Sequence, residues 1–544
     1  MTNIEIPLGR RKSLYRFFEM VPAILSFGAI ALLILLSAVN PMLAAIYLLV
    51  VIITTVVKAA GIAYHTTTGR HSMNMAQKVD WHNRLLQLER PHEHVNKSNG
   101  LKSRSFHIKQ HLANLHDISL HPELYPKPSE IFNAVIVPVY NESYDVIEPT
   151  VRSLLDSTYE KKNLIVVLAY EERGGDSIKE TVEKLESIYE SSFRAFISVM
   201  HKKDIPGEVI GKGGNITNAG RFLALWLKNH KIPFDKVIVT TIDSDNRPYP
   251  SYFDYLTYEY IVHPDRKHLS YQPICLFTNN IWDVPAPMRV VATGNSFWNI
   301  ISSMRPHTLR NFASHSQPMD ALQEMDFWST RTVVEDGHQY WRSYFHFDGH
   351  YAVVPIFVPI TQDAVLANTY VRTLKAQFIQ LRRWAYGASD VAYVASLILS
   401  KDRKAPLGGS IARWFRLLDG HVTLACIPIL IAFGGWVPLI INSEAAQSVA
   451  AHQLPEVISR VQQVAMIGLL ITIFFAFKIL PPRPARYKKQ RNILMVSQWV
   501  LMPITAVVYS SASAFTAQTA LLLGKYFDRF DVTEKAVVPN KNSK

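Results

Sequence analysis

Apolar and polar positions are sorted into three stretches along this chain. From Val21 to Val57 no residue is charged, and Asn40-Pro41 interrupts the run near its middle. Each half approaches the ~20 residues a helix needs to cross a hydrocarbon core, so the spacing predicts a helical hairpin turning at Asn40-Pro41. A signal peptide, with its shorter apolar region and small-residue cleavage site, fits this doubled run poorly. Residues 64–130 are polar and rich in His, Lys and Asn, with an amphipathic helix expected near Trp81–Leu88. They read as a connecting segment on the membrane surface or against a domain.

The middle of the chain alternates. Asn133–Val139, Leu164–Ala169 and Lys236–Ile242 are apolar runs suited to buried parallel strands, and helical patterns occupy Val146–Leu155 and Thr217–Lys228. Strand–helix–strand alternation predicts an α/β layer domain with a parallel-rich sheet. Ligands of such sheets bind beyond the carboxyl ends of the strands. There the sequence places Tyr140-Asn141-Glu142, Glu171-Glu172 and Asp243-Ser244-Asp245.

The last third returns to membrane composition. Val422–Ile441 and Val461–Leu480 are of spanning length, and Ile493–Leu523 is too long for one straight span. With Pro503 and a Ser-rich turn inside it and a basic tail after it, that segment is expected to form a tight hairpin, with a single span plus a surface helix as the alternative. The expected organisation is an N-terminal hairpin (1–63), a connecting segment (64–130), a catalytic domain (131–370), interfacial helices (371–410), a transmembrane region (411–525) and a tail (526–544).

Charge refines this picture. The 544 residues carry a formal net charge of +13, which raises the possibility of nucleic-acid binding. The basic residues cluster beside apolar segments instead: Arg10, Arg11, Lys12 and Arg16 before the first, and Arg483, Arg486, Lys488, Lys489 and Arg491 between two others. That is the pattern of cytoplasmic loops facing anionic lipid. No nucleic-acid motif accompanies it, so membrane lipids and not nucleic acid are the expected partners. The expectation is an integral membrane protein, of the plasma membrane, with its central domain in the cytoplasm. Two cysteines, Cys275 and Cys426, build neither a disulfide framework nor a metal site.

Candidate chemistry falls on four motifs. Asp243 and Asp245 lie two apart after a strand, so both carboxylates can converge on one hard cation, as a diphosphate leaving group requires. Lys212 stands in Gly211-Lys212-Gly213-Gly214-Asn215, followed by Asn218-Ala219-Gly220, where a helix N-terminus and one Lys can face an anion. The Walker ending is absent, and a plain surface turn is the alternative. Glu335-Asp336 supplies carboxylates able to take a proton from an acceptor hydroxyl, or simply to begin a helix. Gln380, Arg383 and Trp384 share one face of a helical stretch, Leu374–Ala395. Arg383 suits a diphosphate and Trp384 a sugar ring; an interfacial helix with snorkelling arginines is the other reading. His338, His346 and His350 have no zinc spacing and read as satisfied or exposed histidines.

In this order the motifs resemble the membrane-bound family 2 glycosyltransferases, the group that includes cellulose synthase and hyaluronan synthase. Val137–Glu142 looks like that fold's opening strand and loop, and Gly211–Gly220 like its glycine-lysine motif. Asp243-Ser244-Asp245 matches its DxD. Val334-Glu335-Asp336 matches TED apart from the first position, and Gln380–Trp384 fits QxxRW. The resemblance covers roughly residues 131 to 400. It implies a GT-A-type nucleotide-diphospho-sugar transferase fold joined to an α-helical transmembrane region, and a cellulose synthase-like, processive, inverting enzyme.

Carried over by residue, Tyr140, Glu142, Glu171, Lys212, Asn218, Asp243, Gln380 and Arg383 would bind the donor, a UDP-sugar in the first instance. Asp245 with Asp243 would hold Mg²⁺ or Mn²⁺. Asp336, beside Glu335, would be the base, and Trp384 would meet the glycan or glycolipid acceptor. The family's Asp-Asp-Gly-type loop is replaced by Tyr170-Glu171-Glu172-Arg173-Gly174-Gly175, which leaves base recognition open. Non-processive transfer to a lipid-linked acceptor and a polytopic transporter with a regulatory domain are the rival functions.

Overall fold

The computed structural model describes residues 4–9, 11–95, 105–442, 477–530, 533 and 535–536, with isolated positions at 453, 456, 460 and 474. The first apolar run folds as two helices, Ser13–Val39 and Pro41–Ala76. Asn40 breaks them and caps the second, its side chain accepting from the Met42 amide at 2.9 Å, with Pro41 at the first helical position. The second helix runs past residue 63 to Ala76, into the polar stretch. Leu35, Val39, Ile46, Val50, Ile53 and Val57 are exposed along the pair, an apolar surface that water does not tolerate and lipid does. Glu19, fully buried in the first helix, is neutralised by Arg11 and by Arg16, the latter at 2.5 Å, and accepts from the Tyr526 hydroxyl at 2.9 Å.

The central domain carries an eight-stranded sheet in the order β3-β2-β1-β4-β7-β6-β8-β5. Its strands are β1 Phe132–Val139, β2 Leu164–Glu171, β3 Ala195–His201, β4 Val237–Thr241, β5 Arg247–Pro248, β6 Leu269–Phe277, β7 Ser316–Pro318 and β8 Ala352–Gln362. The three runs read as strands are β1, β2 and β4, and they are neighbours. Val135 pairs Val166 on one side, and Ala134 pairs Val239 on the other, both in parallel. Buried on both faces, these residues form continuous Val/Ile cores with the helices that cover them. The sheet is mixed, not simply parallel-rich: β7 is antiparallel to β4 and β6, and β5 to β8. β7 is three residues long, too short to carry a strand pattern, which is why the sequence hid the reversal.

Toward the C-terminus, Leu407–Phe433 is helical and continues to Ile441. The expected span Val461–Leu480 lies outside the described residues except for Phe474 and 477–480. The expected hairpin in Ile493–Leu523 does not form. The backbone stays helical from Arg491 to Leu522, passing the Ser-rich stretch Ser510–Ser513 through a π-helical turn, Ala506–Ser511. Serine hydroxyls there bond back to main-chain carbonyls, Ser513 to Tyr509 and Ser511 to Ala425 at 2.6 Å, so they support a helix instead of breaking it. Among the described residues, four helical runs are long and apolar enough to cross a membrane: Ser13–Val39, Pro41–Ala76, Leu407–Ile441 and Arg491–Leu522.

Candidate active site

Because β2, β1 and β4 are adjacent and parallel, the segments that follow them open on one side of the sheet. A cavity of about 1140 Å³ lies there, lined by Tyr140, Glu142, Glu171, Lys212, Asp243, Asp245, Glu335, Asp336, Gln380, Arg383 and Trp384. Residues spread over 245 positions of sequence thus meet in one space, between the sheet and the helix Tyr370–Ala385.

Lys212 is its hub. The helix Lys212–Asn229 begins at this residue. A Cβ on Gly213 would lie 2.5 Å from the Ser329 carbonyl oxygen, so only glycine lets the first turn press against that segment. Lys212 is buried at 8% exposure, with Nζ 2.8 Å from Asp336 Oδ2, 3.0 Å from Asp243 Oδ1 and 3.7 Å from Glu335 Oε1. Burial alone would strip its proton, but three carboxylates outweigh burial and hold its pKa above the ordinary lysine value. The lysine is therefore neither a loose surface group nor an idle anion hook.

Glu335 and Asp336 open the helix Glu335–His346. Burial, together with repulsion from Asp336, pushes the Glu335 carboxyl up to about 8, so it is protonated at neutral pH. Asp336 keeps one oxygen on Lys212. Its Oδ1 is buried without a hydrogen-bond partner, 3.7 Å from His315 Nδ1. Asp243 experiences burial against the pull of Lys212 and Lys535, and the two cations win, holding its carboxyl below the usual range.

The DxD partner Asp245 meets a residue that sequence reasoning treated only as tail charge. Lys535 Nζ is 3.0 Å from Asp245 Oδ1 and 2.8 Å from Ser244 Oγ. The tail reaches it in steps. Tyr526 is fastened to Glu19, the Phe530 amide donates to the Ile210 carbonyl at 2.7 Å, and the Ala536 amide donates to Leu366 at 2.9 Å. Phe530 packs where a Cβ on Gly211 would sit (2.5 Å), and the Arg383 guanidinium lies 3.6 Å above its ring centroid. Gln380 reaches Thr533 at 3.5 Å. The QxxRW helix, capped by Thr369 accepting from the Arg372 amide at 3.2 Å, therefore meets the tail with the face that carries Gln380 and Arg383. Trp384, 40% exposed, lines the cavity beside Phe277. The helical stretch read as Leu374–Ala395 is broken by a tight turn at Tyr386–Ser389, after which Asp390–Ile398 resumes.

A divalent cation fits the Asp245 side of the cavity. The Asp363 amide donates to Asp245 Oδ2 at 3.3 Å, and Asp363 Oδ1 is buried with no hydrogen-bond partner. Burial and the adjacent Asp245 push the Asp363 carboxyl up to about 6, against the opposing pull of Lys535 and Arg247. Among the described residues no three His, Cys, Asp or Glu side chains gather as a complete metal cage, so a diphosphate would have to supply further ligands.

Other expected residues take different roles. Glu142 is spent on structure: Oε2 accepts from the amides of Tyr140 (2.7 Å) and Asn141 (3.2 Å), and Oε1 from Ser244 Oγ (3.0 Å). It braces the β1 loop to the DxD. Glu171 is paired with Arg173, which also lies 5.4 Å from the Tyr140 ring centroid. Asn218 does not line the cavity; its amide donates to the Met200 carbonyl at 3.2 Å. Asn215, one turn earlier on the helix, faces the cavity instead and donates to Ala169 at 2.8 Å. His338 is bound to Asp390 at 2.7 Å and His346 to Glu324 at 3.0 Å. The residues missed at sequence level, Asp363, Lys535, Phe530 and Arg173, carry no local motif signal. Only folding brings them here.

No family model and no curated protein matches the chain. Similar solved structures include the mannosyltransferase PcManGT of Pyrobaculum calidifontis in complex with GDP-Man and Mn²⁺, at 17% identity and TM-score 0.40, covering 81% of this chain and 100% of that one. They also include S. aureus TarS 1–349 in complex with UDP, at 14% identity and TM-score 0.34, covering 74% and 94%. Likeness at this level carries no argument about chemistry, which rests on the residues themselves.

Proposed function

We propose that the chain is an inverting membrane glycosyltransferase of GT-A type, which transfers a sugar from a nucleoside-diphosphate donor to a growing glycan with help from a divalent cation. The observation that supports this most directly is the meeting of Asp336, Lys212, Asp243 and Arg383 in one cavity that also holds Asp245 and Trp384. The acceptor hydroxyl oxygen attacks the anomeric carbon, its proton goes to Asp336, and the bond to the diphosphate oxygen breaks. Asp336 Oδ1 is the free oxygen for that proton, since Oδ2 is held by Lys212. Protonated Glu335 adds no negative charge against the leaving group. Arg383, with Lys212, faces the diphosphate as its charge grows. A divalent ion held by Asp245 and Asp363 would neutralise further diphosphate charge when bound.

The four apolar helical runs among the described residues support membrane attachment. The cavity continues to Leu424, Ser510 and Ser513 on two of them, which favours a glycan that grows toward the membrane over release into water, with the catalytic domain cytoplasmic. The test is purified protein in lipid, offered UDP- and GDP-sugars with Mn²⁺, with nucleotide release measured. Release with no donor by a verified, folded sample overturns the reading. Product length then separates processive synthesis from single transfer to a lipid-linked acceptor.

A further inference from the structure

The donor end of the cavity is crowded with mutually paired charges. Its other end, toward the membrane helices, contains a cation that is not. Arg310 lines the cavity, and among the described residues it makes no hydrogen bond and no ion pair. Its guanidinium lies over the Trp341 ring, 5.6 Å from the centroid. The carboxylate that faces it, Asp390, is committed to His338 Nδ1 at 2.7 Å, and Arg416 adds positive charge; Tyr340 and His421 complete the surroundings.

An arginine in this setting is unfavourable. Arg310 is half-buried; the burial it has pulls its pKa below the ordinary guanidinium value, and a partly desolvated cation gains from an anionic partner. A ligand that brings an anion there removes the deficit. Guanidinium is the side chain suited to a planar oxyanion, which it binds through two parallel hydrogen bonds.

The walls indicate what carries that anion. Trp298 and Phe312 lie with ring centroids 4.4 Å apart, Trp298 being 48% exposed, and the amides of Asn295 and Asn299 line the same cavity. Flat apolar plates with amide side chains suit a sugar ring, whose faces are C–H-rich and whose rim is hydroxylated. Arg310 is also joined to the reaction centre by chain. The segment Arg310–His315 leads straight to His315, which touches Asp336 at 3.7 Å.

We propose that this end of the cavity is an acceptor subsite for an acidic sugar, with Arg310 taking the carboxylate of a uronic-acid residue in the acceptor glycan. This rests on the glycosyltransferase reading and goes beyond it by naming the class of acceptor. The carboxylate group takes no part in bond making; Arg310 selects and positions it.

Calorimetric titration of the full-length protein in lipid nanodiscs tests the proposal, with UDP, an oligouronate, a neutral oligoglucan of equal length and a polyprenyl phosphate as probes. The oligouronate should bind on the order of thirtyfold more tightly than the neutral glucan. Arg310→Met should erase that preference and Arg310→Lys should keep part of it, while UDP binding persists in both variants and reports that they are folded. Equal binding of the two oligosaccharides to the wild type overturns the proposal. So does a preference that survives in Arg310→Met, or an Arg310→Met effect confined to polyprenyl phosphate. Failure of UDP to bind the wild type strikes the glycosyltransferase reading instead, and the oligouronate arm is scored apart from it.

Discussion

The two ends of the cavity solve the problem of buried charge in opposite ways. At the donor end the lysines are matched inside the protein, Lys212 by Asp336 and Asp243 and Lys535 by Asp245, and Glu171 is matched by Arg173. At the other end Arg310 lines the cavity with no hydrogen bond or ion pair among the described residues. A self-matched network holds its shape without ligand and needs rearrangement to admit a diphosphate. An unmatched cation stores its interaction for an incoming group. The contrast separates residues whose removal damages the protein from residues whose removal damages only binding.

The largest expected effect sits at Asp336, whose Oδ1 is buried without a hydrogen-bond partner. Asp336→Asn should lower kcat by about 10²–10⁴-fold with donor binding retained, as single-turnover kinetics beside UDP titration would show; retained turnover would move the base elsewhere. Lys212→Met should come next, because it abandons the Asp243 and Asp336 carboxylates at once. Breaking a buried pair from one side costs about 3–5 kcal/mol, readable as a fall in Tm, and an unchanged Tm would mean the hub is not structural.

A smaller effect is expected at the tail. Asp245 Oδ1 cannot hold both the Lys535 ammonium and a divalent ion. Lys535→Met should therefore tighten Mn²⁺ binding by about five- to tenfold in calorimetry, and Mn²⁺ should make the wild-type tail more open to protease. Metal affinity untouched by the substitution would sever this link.

The smallest effect concerns Glu335, whose folded-state pKa of about 8 lies above its ordinary 4.5. The folded protein binds the proton more tightly than the unfolded chain, so this group's contribution is fully present below pH 4.5. It is lost as pH rises through about 8. Glu335→Gln should flatten that decline in denaturant titrations across the window. A slope identical to the wild type would show that Glu335 ionises normally.

Much of the scaffold was legible from short-range pattern. Strands β1, β2 and β4 announced themselves as continuous Val/Ile runs, and Asn40-Pro41 marked a helix break through capping chemistry that needs only neighbours. Asp243, Glu335 and Arg383 carried the expectation of a shared site through residue type and position after a strand or on a helix face. The failures have a common form. Asn218 lost its place to Asn215 because which side of a helix faces a cavity depends on its docking rotation. The hairpin expected within Ile493–Leu523 gave way to a continuous helix, since serines that signal a turn in water bond to carbonyls in a packed helix.

The sequence by itself determined strands β1, β2 and β4, the segregation of apolar runs from an α/β domain, and a set of candidate site residues, because local periodicity and side-chain chemistry are properties of neighbours. Tertiary structure alone decided how charge is distributed among them. It set Lys212 against Asp243 and Asp336, pushed the Glu335 carboxyl up beside them, brought Lys535 from the tail onto Asp245 and left Arg310 without an ion pair among the described residues. Protonation and pairing depend on burial and on distances of a few ångströms between residues far apart in the chain, and those distances come into being only when the sheet, the tail and the apolar helices close around one space.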